Sequence, residues 1–86
     1  MERYRLLVKK SVARDLRAIS KKDVRRILKR IETLTVNPCP NGCEKLTDQE
    51  RYRVRQGSYR IIYEVQDDAF LVVVVKVGHR KNVYRH

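Results

Sequence analysis

The sequence predicts an α+β domain, and three observations carry that prediction. Apolar residues recur at helical spacing through residues 11–34. Beyond the loop at 37–42 the period changes to two, the signature of strands. The chain has 86 residues, 42% of them hydrophobic, which suffices for one core and leaves no room for a second domain. A chain of this size buries roughly 60–65% of its extended surface without needing metals or disulfides. The expected order is an N-terminal strand, a two-helix hairpin, a three-stranded antiparallel meander and a short tail, one compact domain over residues 1–86.

The elements follow in turn. Tyr4, Leu6 and Val8 alternate with Arg3, Arg5 and Leu7, which gives the first strand. Ser11 is expected to cap a helix that carries Val12, Leu16 and Ile19 on one face. Ser20 is expected to cap a second helix, with Asp23 completing a capping-box-like pair. That helix presents Val24, Ile27, Leu28, Ile31 and Leu34 as a stripe, while Arg25, Arg26, Lys29 and Arg30 occupy the opposite face. Residues 37–42, Asn-Pro-Cys-Pro-Asn-Gly, end the helical region. Arg51–Gln56, Tyr59–Gln66 and Ala69–Val77 read as three strands joined by hairpins at Gly57-Ser58 and Asp67-Asp68. Gly78 is expected to end the last strand and let the chain turn.

Charge narrows the choice of partner. There are 21 basic and 10 acidic residues, a net +11, so the expected partner is polyanionic. Residues 1–40 hold 12 basic and 4 acidic side chains, and residues 41–86 hold 9 and 6. Most of the excess thus lies on the first strand and the helices, enough to steer the protein toward RNA or DNA at low salt. The longest apolar run, Ala69–Val75, is far too short to cross a bilayer, and the N-terminus has no signal-peptide pattern. A cytoplasmic location with no membrane partner is expected. Cys39 and Cys43 form a lone C-x3-C, and neither His79 nor His86 stands at ligand spacing from it. The expectation is two reduced thiols, no metal site and no cofactor.

The first hairpin can be registered from its pattern. A two-residue Gly57-Ser58 turn pairs Gln56 with Tyr59, Arg55 with Arg60, Val54 with Ile61, Arg53 with Ile62 and Tyr52 with Tyr63. One face then carries Tyr52, Val54, Ile61 and Tyr63, and the other carries Arg53, Arg55 and Arg60. A three-residue turn would mix the faces. The chosen register sets Arg55 opposite Arg60, a destabilising like-charge pair. Such a cluster makes sense around an anion, because the guanidinium fork suits bidentate phosphate binding. The alternative is a solvated face in an arginine-rich chain. His79, Arg80, Lys81, Tyr84 and Arg85 crowd near the sheet's end.

The blocks Tyr52-Arg53-Val54-Arg55-Gln56-Gly57-Ser58-Tyr59-Arg60-Ile61-Ile62-Tyr63-Glu64 and Val77-Gly78-His79-Arg80-Lys81-Asn82-Val83-Tyr84 resemble the RelE/ParE toxin superfamily, on its RelE-like branch. The resemblance covers roughly residues 45–85 and implies the toxin of a type II toxin–antitoxin pair. RelE-like members cut mRNA in the ribosomal A site, without metal, by attack of a ribose 2′-OH on the adjacent phosphate. ParE-like members inhibit DNA gyrase, which is the alternative reading. By motif position the resemblance implies catalytic roles for Arg53, Arg55, Arg60, Arg80 and Tyr84. Arg60 would bind the scissile phosphate, Arg80 would stabilise the transition state or protonate the leaving oxygen, and Tyr84 would orient the nucleotide by stacking. His79, Lys81 and Arg85 would contact RNA. The positions of Arg53 and Arg55 are often lysines in the family. Arginine does not serve as a base at pH 7, so the general base stays open between Tyr84, His79 and positioning by the ribosome alone. The resemblance also implies an acidic, RelB-like antitoxin partner, with operator DNA reached through it, besides the ribosome and mRNA.

Overall fold

A computed structural model of the chain describes residues 3–46 and 51–79. The elements are β1 (Arg5–Val8), α1 (Lys10–Arg17), α2 (Lys21–Leu34), β2 (Glu44–Lys45), β3 (Arg51–Gln56), β4 (Tyr59–Gln66) and β5 (Leu71–His79). The strands form one five-stranded sheet in the order β1-β5-β4-β3-β2. The meander β3-β4-β5 is antiparallel, as expected. The sheet around it is larger and mixed. β1 joins β5 in parallel, and β2 adds a two-residue antiparallel edge beside β3.

The helices pack on one face of the sheet. Val12, Ile27, Ile31 and Leu34 meet Val54, Ile61, Tyr63, Val72, Val74 and Val77 in the main core. Val24 is half-buried, and Leu28, placed on the apolar stripe by spacing, is instead 45% exposed. On the opposite face Ile62, Val73 and Val75 form a smaller apolar cluster with Leu46 and Leu71.

Ser20 caps α2 as its sequence suggested, since its Oγ accepts the Asp23 N–H and donates to the Asp23 carboxylate at 3.2 Å. Ser11 does not cap α1. That helix starts two residues earlier, with Lys9 at the cap and no side-chain cap bond, so Ser11 lies within its first turn. The chain has no slack for a separate cap, because the Lys9 N–H already bonds the Val74 carbonyl beside β1.

Two further expectations are corrected around β5. Residues 67–69 form a short 3-10 turn, and Phe70 then takes a left-handed conformation at φ 48°. This longer connection moves the start of β5 from Ala69 to Leu71. Gly78 does not end the strand, because it pairs with Arg60, and β5 continues to His79. The pairing also shifts by one residue between Ile62 and Tyr63, so Val75 is an extra residue on β5. The bulge lets Val74 and Val77, three apart, both face the core. Lys76 then reaches Asp15 of α1 at 3.6 Å, while the other Asp15 oxygen accepts the Val77 N–H at 3.2 Å.

Cys39 and Cys43 are joined as a disulfide, which corrects the expectation of free thiols. The loop containing them is pinned from below by Tyr63. The fully buried Tyr63 hydroxyl donates to the Pro38 carbonyl at 2.6 Å and lies 3.4 Å from Cys43 Sγ. Burial pushes the Tyr63 phenol up to about 12, against the opposing effect of the nearby Arg30 charge.

Candidate anion-binding cleft

The β3–β4 register pairs Gln56 with Tyr59, Arg55 with Arg60, Val54 with Ile61, Arg53 with Ile62 and Tyr52 with Tyr63, as the sequence pattern specified. Gly57 opens the two-residue turn at φ +60°, a conformation that β-carbon sterics make costly for other residues. Alternation then sends the tyrosines, Val54 and Ile61 toward the helices and the arginines to the other face.

Charge along that face changes from one end to the other. Arg51 faces Glu64, and the two form an ion pair at 2.9 Å. Arg53 donates to Glu44, its cross-strand partner on β2, at 2.5 Å. Arg55, by contrast, lies opposite another cation, Arg60. Arg53, Val54, Arg55 and Arg60 line a cleft of about 270 Å³ with Gly42 and Glu44. Arg53 and Arg60 are half-buried and Arg55 is exposed. Three arginines lining one concavity from adjacent strands present the kind of fixed cationic surface that suits an anion.

His79, the other described member of the expected set, does not line this cleft. It pairs with Tyr59, one residue beyond the Arg60–Gly78 pair, and so falls on the helix side. There its ring meets that of Tyr59 edge-on at 5.8 Å, in a groove lined also by Arg14, Asp15 and Lys76. Arg80, Lys81, Tyr84 and Arg85 lie outside the described residues. Sequence reasoning missed Glu44 and Gly42. Glu44 reaches the cleft through a strand of only two residues, too short to leave a periodic signal. Among the described residues no group of three or more His, Cys, Asp or Glu side chains could hold a metal ion. No helix among them is long and apolar enough to cross a membrane.

The fold and sequence match known proteins. RelE1 of Methanocaldococcus jannaschii is 29% identical over 88 aligned positions, covering 98% of each chain. In the RelE–RelB complex of Pyrococcus horikoshii, one chain superposes with a TM-score of 0.78 and 28% identity, over 93% of this chain and 98% of that one. A chain of the RelBE2 toxin–antitoxin complex of Mycobacterium tuberculosis shares the fold at a TM-score of 0.80 and 22% identity, over 91% and 99% of the two chains. The protein is therefore a toxin of the RelE/ParE superfamily. More particularly, the chain belongs to the family described as the ParE toxin of the type II toxin–antitoxin system parDE, whose family model matches residues 6–84.

Proposed function

We propose that this toxin is a ribosome-dependent endoribonuclease that cleaves mRNA in the A site and so inhibits translation. The observation that carries the reading is the convergence of Arg53, Arg55 and Arg60 on one cleft. Transesterification by a ribose 2′-OH passes through a phosphorane dianion, and a cluster of fixed cations stabilises that charge more than the singly charged ground state. Arg60 binds the scissile phosphate, and Arg53 and Arg55 spread the developing charge. The tail residues complete the site. Arg80 neutralises the transition state or protonates the leaving oxygen, and Tyr84 stacks on the nucleotide. His79, Lys81 and Arg85 hold flanking RNA. The ribosome contributes alignment of the attacking hydroxyl.

The partner in this reading is an acidic, RelB-like antitoxin that masks the basic surface, as the RelB-containing complexes of the relatives suggest. Operator DNA would be reached through that antitoxin. Primer extension on a defined mRNA, with and without translating ribosomes, tests the proposal. Wild-type protein is expected to cut within A-site codons only when ribosomes are present, and Arg60→Ala and Arg80→Ala to abolish the cuts. Intact mRNA from folded wild-type protein would refute it.

One observation favours a second reading. The matching family model is that of the ParE toxin, and ParE-like toxins act on DNA gyrase. A gyrase supercoiling assay decides between the two, since a nuclease leaves supercoiling unaffected.

A further inference from the structure

We propose that the Cys39–Cys43 bridge is a reversible redox site that sets the anion affinity of the arginine cleft, the bridged form binding phosphate more weakly than the dithiol form. The inference rests on the reading of the cleft as a phosphate site, and not on cleavage. It starts from the order of the chain. Gly42 and Glu44 line the cleft with Arg53, Arg55 and Arg60, and they flank Cys43 directly. The bridge closes a loop of sequence separation 4. Within it the Cys43 N–H donates to the Pro40 carbonyl at 2.9 Å, and Gly42 takes φ +89°. Beneath it the Tyr63 hydroxyl holds the Pro38 carbonyl and lies 3.4 Å from Cys43 Sγ. The residue that follows this clamp is Glu44, whose carboxylate accepts from Arg53. An anion of the protein's own thus sits on a cation of the cleft. β2 contributes only two residues to hold it there, so the clamped loop carries much of the restraint.

The two sulfurs differ in access, since Cys39 is exposed and Cys43 is half-buried. One thiolate of an external dithiol attacks Cys39 Sγ. The S–S bond breaks, and Cys43 leaves as a thiolate beside the Tyr63 hydroxyl, which favours it by hydrogen bonding. The second sulfur of the dithiol then attacks the first, releases Cys39 and closes the reductant into a cyclic disulfide. Two electrons and two protons pass from the dithiol to the cysteines. The freed loop relaxes, and Glu44, with a side chain 61% exposed against 27% for Arg53, moves toward water. Arg53 then turns from the carboxylate to an external phosphate. The coupling is reciprocal, so bound phosphate favours the dithiol form by the factor that reduction adds to affinity.

The test measures binding of a fluorescent RNA trinucleotide, 2′-O-methylated throughout so that it cannot be cut, by anisotropy at low salt. Wild type is compared before and after dithiothreitol, with mass spectrometry confirming the bridged and dithiol forms and thermal melting confirming the fold. Reduction is expected to tighten binding about 2–5-fold, the range that an exposed ion pair supports. Cys39→Ser/Cys43→Ser should bind like the reduced protein with or without dithiothreitol, and Glu44→Gln should lose the response. Saturating trinucleotide should lower, by the same factor, the ratio of reduced to oxidised dithiothreitol that half-reduces the bridge. A change below about twofold, or looser binding on reduction, would overturn the switch. So would a full response in Glu44→Gln. In each of those cases weaker binding by Arg60→Ala leaves the phosphate reading standing. If Arg60→Ala binds as tightly as wild type, the phosphate reading itself fails and the switch falls with it.

Discussion

Replacing Arg55 by glutamate should stabilise the folded domain while destroying the proposed anion site. Arg55 and Arg60 are direct partners across β3 and β4, so their guanidiniums can lie about 6 Å apart. Coulomb's law in water gives about 0.7 kcal/mol of repulsion at that distance. This agrees with the range of roughly 0.2–1 kcal/mol for directly opposed side chains on a sheet. Glutamate turns the repulsion into an attraction of similar size, a swing of about 1 kcal/mol. An unfolding entropy of about 2.1 cal/mol/K per residue makes that a rise in Tm of about 5 °C for a domain of this length. The assay is thermal melting in a low-salt buffer without polyvalent anions. The difference should shrink in 1 M sodium chloride, where the screening length is about 3 Å. Added phosphate should raise the wild-type Tm through preferential binding to the folded state, and should raise that of Arg55→Glu much less. An Arg55→Glu protein that folds but melts no higher than wild type at low salt would refute the argument.

Other substitutions test the supports of the cleft. Tyr63→Phe removes the buried hydroxyl beneath the disulfide loop and strands the Pro38 carbonyl, costing about 1–2 kcal/mol and lowering Tm by about 5–10 °C in the same melts. The raised Tyr63 pKa, about 12, favours the neutral phenol in the folded state. Its contribution is therefore full below pH 10 and is lost as pH rises toward 12, so urea titrations across that window should show a steeper decline for wild type than for Tyr63→Phe. Reducing the Cys39–Cys43 bridge releases a loop of sequence separation 4, and chain entropy limits the loss to about 2 kcal/mol. Dithiothreitol should lower the wild-type Tm and leave a Cys39→Ser/Cys43→Ser protein unmoved. Asp15→Ala orphans the Val77 N–H and releases Lys76, which should cost about 1–2 kcal/mol by urea unfolding.

The sequence made the β3–β4 hairpin legible because polarity strictly alternates on both sides of a turn whose length only one register fits. Slipping Val54 by one position would mix apolar and charged side chains on each face. The same logic could not reach β1, whose Leu6, Leu7 and Val8 are apolar on both faces and 40–54% exposed. Its parallel pairing with β5 depends on tertiary placement and not on alternation. The β5 bulge was also hidden, since an unbroken run of valines looks the same with or without an extra residue. Glu44 entered the cleft through β2 pairing, a contact between residues nine apart that no local period encodes. The disulfide was missed for a different reason, because the compartment expectation outweighed the short spacing of Cys39 and Cys43.

The arginines that line the cleft also specify the fold. Residues of opposite destination are neighbours in β3, with Val54 at 1% exposure between Arg53 and Arg55. A one-residue slip of β3 that turned Val54 outward would carry both guanidiniums under α2, into a core of Ile27, Ile31 and Leu34. Burying an unpaired charge costs far more than the roughly 0.2–1 kcal/mol lost in the Arg55–Arg60 repulsion. The cleft therefore carries a small penalty in the correct register and imposes a large one on the competing register. Replacing all three arginines by threonine would remove both the anion site and that barrier, so a more stable hairpin would come with a less uniquely defined one.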